Sequence, residues 1–185
     1  MIEQACISSY GKLKNLKLVG DELGIAWQTV YVHLRKAGVP VTGDKARYGC
    51  AKDRLAAFTE RLFAEDVPHA KDSNATQFQA SIDFDVGGWS VDVKAATLLA
   101  WQKDSARWGF SINKQKDKAD FFVLYALDSA ESRNVVHVFL MPNEIATART
   151  TISIPASMKS KWADYEIKRD DLAGFFALLP QREAV

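Results

Sequence analysis

Asp83, Asp92 and Lys94 are the residues of this chain whose types and spacing point most directly to chemistry. Asp92 and Lys94 stand two apart in the alternating run Trp89-Ser90-Val91-Asp92-Val93-Lys94. On a strand, alternation puts both on one face and Val93 on the other. Asp83 precedes Asp92 by nine residues, and Gly87-Gly88 lies between the two runs. Two alternating runs joined by a Gly pair predict a β-hairpin. Residues opposed across a ladder approach to about 5 Å, so the two carboxylates can converge. Asp85 competes with Asp83 for this place, two residues on and on the same face. Two carboxylates beside an ammonium suit Mg²⁺, which takes a few carboxylate oxygens together with water and substrate phosphate. A bound metal lowers the pKa of its water and offsets charge developing on a phosphodiester. The lysine can orient or deprotonate that water and stabilise the charged transition state. The competing interpretation is a surface ion pair on a half-exposed strand, which is worth little. A second acidic-x-lysine triplet, Glu166-Ile167-Lys168, serves as a control. It has no Asp at hairpin distance before it and reads as surface charge.

The segment Ile82-Asp83-Phe84-Asp85-Val86-Gly87-Gly88-Trp89-Ser90-Val91-Asp92-Val93-Lys94-Ala95-Ala96 resembles the signature of the PD-(D/E)XK nuclease superfamily, the restriction-endonuclease-like fold. The likeness extends through the upstream helix with Glu60 or Glu65, the run Arg107–Ile112 and the run Ala119–Leu124, and so spans most of residues 51–140. It implies that Asp83 and Asp92 are metal ligands, that Val93 offers its backbone carbonyl and that Lys94 is the catalytic lysine. It also implies a divalent metal, normally Mg²⁺ with Mn²⁺ as a substitute, and hydrolysis of DNA phosphodiesters. Ile82 stands where the pattern has Pro, and Asp92 where Glu is more frequent. Glu60 is a candidate extra acid from the first helix. Gln115, among Lys114, Lys116 and Lys118, is a candidate for gripping the DNA backbone or positioning the water.

The elements that must position these residues read as follows. Leu55, Phe58, Leu62 and Phe63 recur at helical spacing and predict a helix over 51–65. A polar stretch, 68–76, leads into strands at 78–85 and 89–94. Residues 95–104 fit either a short helix or a loop, and 107–112 alternates again. The dense apolar runs 121–127 and 135–141 suit buried central strands. Residues 151–154 fit a strand or a loop. The tail, 169–179, reads as a helix opened by Asp170-Asp171, whose charge favours a helix N-terminus. The fold class is α/β, a mixed sheet flanked by helices. His33, His69 and His137 do not cluster in sequence, so no zinc site is indicated. His137, inside an apolar run, reads as a satisfied core histidine, and Trp101 and Trp108 as core residues in preference to base-stacking ones.

Ahead of this body, residues 12–38 hold two helical patterns around Gly24. Leu16, Leu18, Val19 and Leu23 form the first; Ile25, Val30 and Leu34 form the second, closed by Gly38 and Pro40. The run Glu22-Leu23-Gly24-Ile25 followed by Thr29-Val30 and Leu34 resembles a helix-turn-helix. In that motif the second helix enters the major groove with its early residues against base edges. Those residues here are Trp27, Gln28, Thr29, Val32 and His33, with Arg35, Lys36, Lys45 and Arg47 near phosphates. Gln28 suits bidentate contact to adenine. The competing interpretation is a helical hairpin packed on the body.

The chain has 185 residues and a formal net charge of +1, with 48% hydrophobic and 25% charged residues. This is the composition of a globular protein. Residues 1–56 carry nine basic and five acidic residues, and the remainder carries 15 basic and 18 acidic. The neutral total thus divides into a basic head of +4 and a body of −3. No apolar run is long enough to span a membrane, and the N-terminal residues lack the layout of a signal peptide. The two cysteines are unsuited to a disulfide framework, so a reduced, cytoplasmic protein is expected. Together these features lead to a helix-turn-helix domain over 1–50 and a PD-(D/E)XK nuclease domain over 51–185. The expected enzyme acts on double-stranded or branched DNA as a homodimer of restriction, homing or junction-resolving type. The rival is a non-catalytic helix-turn-helix regulator whose α/β body dimerises.

Overall fold

A computed structural model describes residues 2–39, 41, 49–75, 80–99, 105–115 and 117–182. Three helices come first: α1 (Ile2–Leu13), α2 (Leu16–Leu23) and α3 (Trp27–Lys36). Cys6, Tyr10, Val19, Val30 and Leu34 form their own apolar cluster. Two of these residues lie on α1, a helix absent from the expected pair. Asn15 caps α2, its side chain accepting from the N–H groups of Lys17 and Leu18 at 3.0 and 3.1 Å. Gly24, at φ 65°, ends α2 in the left-handed conformation that glycine adopts without strain. Gly20 is needed for a different reason, because a Cβ there would stand 2.6 Å from the carbonyl oxygen of Ile25.

The body opens with α4 (Ala51–Asp66), held at its start by the Cys50 N–H donating to Asp53 at 3.1 Å. Then follow β1 (Lys71–Asp72), β2 (Phe84–Val86), β3 (Trp89–Thr97), β4 (Arg107–Ser111), β5 (Phe121–Leu127), β6 (Val135–Pro142), α5 (Asn143–Ala146), β7 (Thr151–Pro155) and α6 (Leu172–Leu178). Five strands form a mixed sheet in the order β1-β2-β3-β5-β6. β3 and β5 are parallel, and every other neighbouring pair is antiparallel. One face, carrying Val91, Val93, Val123 and Tyr125, packs on Phe63 and Val67 from the α4 end and on Leu172 and Phe176 of α6. The opposite face, carrying Ala96, Phe122 and Leu124, packs on Trp108, Phe110, Ile152 and Ile154.

Those last four residues belong to β4 and β7, which pair with each other in a second, two-stranded sheet. The strands expected at 107–112 and 151–154 therefore lie over the main sheet rather than within it. Their burial explains this: alternate residues of β4 are buried and exposed, as on a strand with one covered face, whereas all seven residues of β5 are buried. Three other boundaries differ from the pattern. β2 begins at Phe84, after a bend at 81–83. The polar stretch contains β1, and β3 runs on through Thr97.

Candidate active site

β2 and β3 pair with Phe84 opposite Val91, Asp85 opposite Ser90 and Val86 opposite Trp89. Continued by one residue, that register sets Asp83 opposite Asp92. The backbone bends away at Asp83, and its side chain takes over the pairing: Asp83 Oδ2 accepts the Val93 N–H at 2.8 Å. A strand residue directs its N–H and C=O to the same side. The Val93 carbonyl therefore faces the side from which Asp83 approaches, away from the β3–β5 ladder.

Asp92 sits mid-strand and is 1% exposed. Lys94, on the same face, places Nζ 2.5 Å from Asp92 Oδ2. The contact is a close ion pair between a half-buried ammonium and a buried carboxylate oxygen. Burial pushes the Asp92 carboxyl up to about 7, with Lys94 opposing the rise and Asp83 adding to it. The sequence-expected trio is thus one cluster: a buried carboxylate, a second carboxylate acting on it and an ammonium in contact with it.

The other expected residues occupy varied places. Asp85 Oδ1 accepts the Gly88 N–H at 3.3 Å and so serves the turn. Glu60 is half-buried on α4, whose Phe63 packs on the sheet face opposite to that of Asp92. Gln115 is half-buried after β4, its carbonyl accepting from Lys118 and Ala119 at 2.9 Å each. On α3, Val30 and Leu34 point inward, while Trp27, Gln28, Thr29, Tyr31, Val32, Arg35 and Lys36 are exposed. His33 is half-buried, with Nδ1 buried and unpartnered. Lys45, Arg47 and Trp101 lie outside the described residues.

Sequence reasoning missed the residues that brace the hairpin. The Arg182 N–H donates to the Gly87 carbonyl at 3.0 Å, and Trp89 Nε1 donates to the Pro180 carbonyl at 2.9 Å. The Arg182 guanidinium stacks 3.2 Å above the Trp89 ring and donates to Asp120 at 2.9 Å. Asp120 in turn accepts from the Ser90 N–H and hydroxyl at 2.9 and 2.7 Å. Burial raises the Asp120 carboxyl, but the Ser90 and Arg182 donors outweigh it and hold it below its usual value. The sequence signal for this strap is the Gly87-Gly88 pair: a Cβ at Gly88 would meet the Arg182 carbonyl oxygen at 2.4 Å, and one at Gly87 the Gln181 side chain at 3.2 Å.

Among the described residues, no group of three or more His, Cys, Asp or Glu side chains is placed to hold a metal. The donors at hand are two carboxylates and the Val93 carbonyl, a hard-oxygen set of the kind Mg²⁺ takes when water completes its shell. The buried carboxylate of Asp92, whose Oδ2 contacts the Lys94 cation, fits such a role once that charge is shared with a metal.

No family model and no curated protein matches the chain. Among solved structures, the bacterial homing endonuclease I-Ssp6803I is similar to it at 17% identity and a TM-score of 0.42, over 69% of this chain and 89% of that one. No helix among the described residues is long and apolar enough to cross a membrane.

Proposed function

We propose that the chain is a metal-dependent DNA endonuclease of the PD-(D/E)XK type. Its catalytic domain is residues 51–185, and a helix-turn-helix reader occupies residues 1–50. One observation carries this reading: Asp92, buried to 1% exposure, is flanked by a second carboxylate and contacted by Lys94 at 2.5 Å. Burying a charged cluster is costly, and a structural role alone does not call for two like charges within it. Asp83, Asp92 and the Val93 carbonyl would hold Mg²⁺, or Mn²⁺ in its place. The metal supplies charge neutralisation and an activated water. With the Asp92 charge engaged, Lys94 faces the phosphodiester, orients the attacking water and offsets the charge that builds on the phosphate oxygens. On α3, Gln28 and its exposed neighbours read base edges while Arg35 and Lys36 hold phosphates. One site per chain and two strands per duplex favour a homodimer on a two-fold target. The reader helix favours a sequence-specific enzyme, of restriction or homing type, over a junction resolvase.

The test is nicking of supercoiled plasmid and of branched duplexes with Mg²⁺ or Mn²⁺. Wild type should nick, while Asp92→Ala and Lys94→Ala should not. Equal cutting by all three, or no cutting of any substrate, would contradict the reading. Tight DNA binding without cutting would leave the chain a regulator.

A further inference from the structure

The body's charge is unevenly placed. Residues 105–119 and 147–161, which make up β4, β7 and their flanks, carry seven basic residues and one acidic residue, a net of +6. The rest of residues 57–185 carries eight basic and 17 acidic residues, a net of −9. Six of the seven cations, Arg107, Lys114, Lys118, Arg149, Lys159 and Lys161, are exposed; the seventh, Lys116, lies outside the described residues.

The ribbon between these cations has two unlike faces. Inward, Trp108, Phe110, Ile152 and Ile154 are buried against the main sheet. Outward, the pairs are Arg107 with Pro155, Gly109 with Ser153 and Ser111 with Thr151. That face has no acidic side chain, and Arg107 is its only long one. Arg107 Nη1 donates to Ser153 Oγ at 3.2 Å, which holds the guanidinium along the ribbon. At Gly109 an added Cβ would meet nothing within 4 Å, so a ligand can approach the backbone there. A two-stranded ribbon of this kind has the size that a major groove admits.

The cations sit at both ends of the ribbon. Along the chain, Lys114 and Lys118 follow and Arg149 precedes the Ser111–Thr151 pair; at the other end Arg107 is itself in the Arg107–Pro155 pair, with Lys159 and Lys161 four and six residues after Pro155. Five paired positions separate the ends by about 14 Å. A small anion cannot engage both, whereas a phosphate backbone can. The ribbon also continues from the candidate site. Leu99 and Arg107 exchange two backbone hydrogen bonds of 3.0 Å. Arg107 is therefore tied to the chain five residues beyond Lys94, about 17 Å along a strand and roughly half a turn of duplex.

We propose that the outward face of β4–β7 is a second duplex-DNA contact surface, distinct from α3, that holds the phosphate backbone beside the Asp83–Asp92–Lys94 site. Its partner follows from the DNA-cleaving reading, but the surface does not depend on metal or on catalysis.

The test uses the full-length chain, a labelled duplex oligonucleotide and fluorescence anisotropy in EDTA over a series of KCl concentrations. Arg107→Ser/Lys159→Ser/Lys161→Ser should weaken binding at least about tenfold at 0.1 M salt and lower the slope of log K against log[KCl] by about 2–3. Lys159→Ser/Lys161→Ser, which keeps the Arg107–Ser153 bond, should lower the slope by about 1–2 if the triple variant does not fold. Affinity within twofold of wild type and an unchanged slope would overturn the surface. Plasmid nicking, measured separately, distinguishes the two proposals. A nicking enzyme whose ribbon variants bind like wild type loses the surface and keeps the nuclease reading. A chain that never nicks but shows the lowered slope keeps the surface and loses the nuclease reading.

Discussion

The two acidic-x-lysine triplets share their spacing and little else. Asp92 lies on β3, between β2 and β5, and is 1% exposed. The Glu166 side chain is 45% exposed, in a segment bridged to the outer strand β6 through Phe139. Lys94 contacts Asp92, whereas Glu166 pairs with His137 Nδ1 at 2.6 Å. Asp92 has a second carboxylate raising its pKa, while Glu166 has an imidazole. A spacing motif becomes a candidate site when the fold buries one member and supplies a second charge of the same sign. The same motif at a sheet edge stays a surface ion pair.

Activity should break the comparison open most widely. Asp92→Ala should lower nicking by at least about 10²-fold, as should Lys94→Ala, since in the proposed reaction each removes a group acting at the developing charge. Glu166→Ala and Lys168→Ala should stay within twofold of wild type in the same plasmid assay. Comparable losses in both triplets would dissolve the distinction.

Stability against pH separates them next. A carboxyl whose folded pKa is raised to about 7 keeps its proton in the folded chain after the unfolded chain has released it. In that window the folded state binds more protons, so metal-free stability falls as pH rises from about 4 to about 7, by roughly 2–4 kcal/mol. Urea melts of the metal-free protein should show this decline in wild type and in Glu166→Gln and lose it in Asp92→Asn. A decline that persists in Asp92→Asn would assign it to another group.

The strap gives a smaller effect. Gly88→Ala places a Cβ 2.4 Å from the Arg182 carbonyl oxygen at φ 85°. It should cost about 1–3 kcal/mol in the same melts, of which part returns when residues 180–185 are deleted along with it. The smallest effect belongs to the control: Glu166→Ala should cost less than about 1 kcal/mol, since the Glu166 side chain is 45% exposed.

The hairpin was legible because its signals are local. Gly87-Gly88 sets the turn, both glycines take positive φ, and alternation then assigns Asp92 and Lys94 to one face. The exposed and buried sides of α3 followed from the one-turn spacing of Val30 and Leu34. α1 was not legible, because its buried residues, Cys6, Ser9 and Tyr10, give a weak stripe amid Ser8 and Gly11. β1 has two residues, too few for a period. The separation of β4 and β7 into a second sheet is a tertiary fact, since alternation shows which face is covered but not what covers it. Pro180–Arg182 lacks any periodicity, so the close approaches at Gly87 and Gly88 are what betray the strap.

Calorimetric titration with Mn²⁺ tests most directly the proposal that Asp83 and Asp92 hold a divalent cation. Wild type and Glu166→Ala should bind one ion, with affinity rising as pH approaches about 7 because the ion displaces the Asp92 proton. Asp92→Ala should lose that isotherm. A Mn²⁺ isotherm unchanged in Asp92→Ala, or absent from wild type at neutral pH, would contradict it.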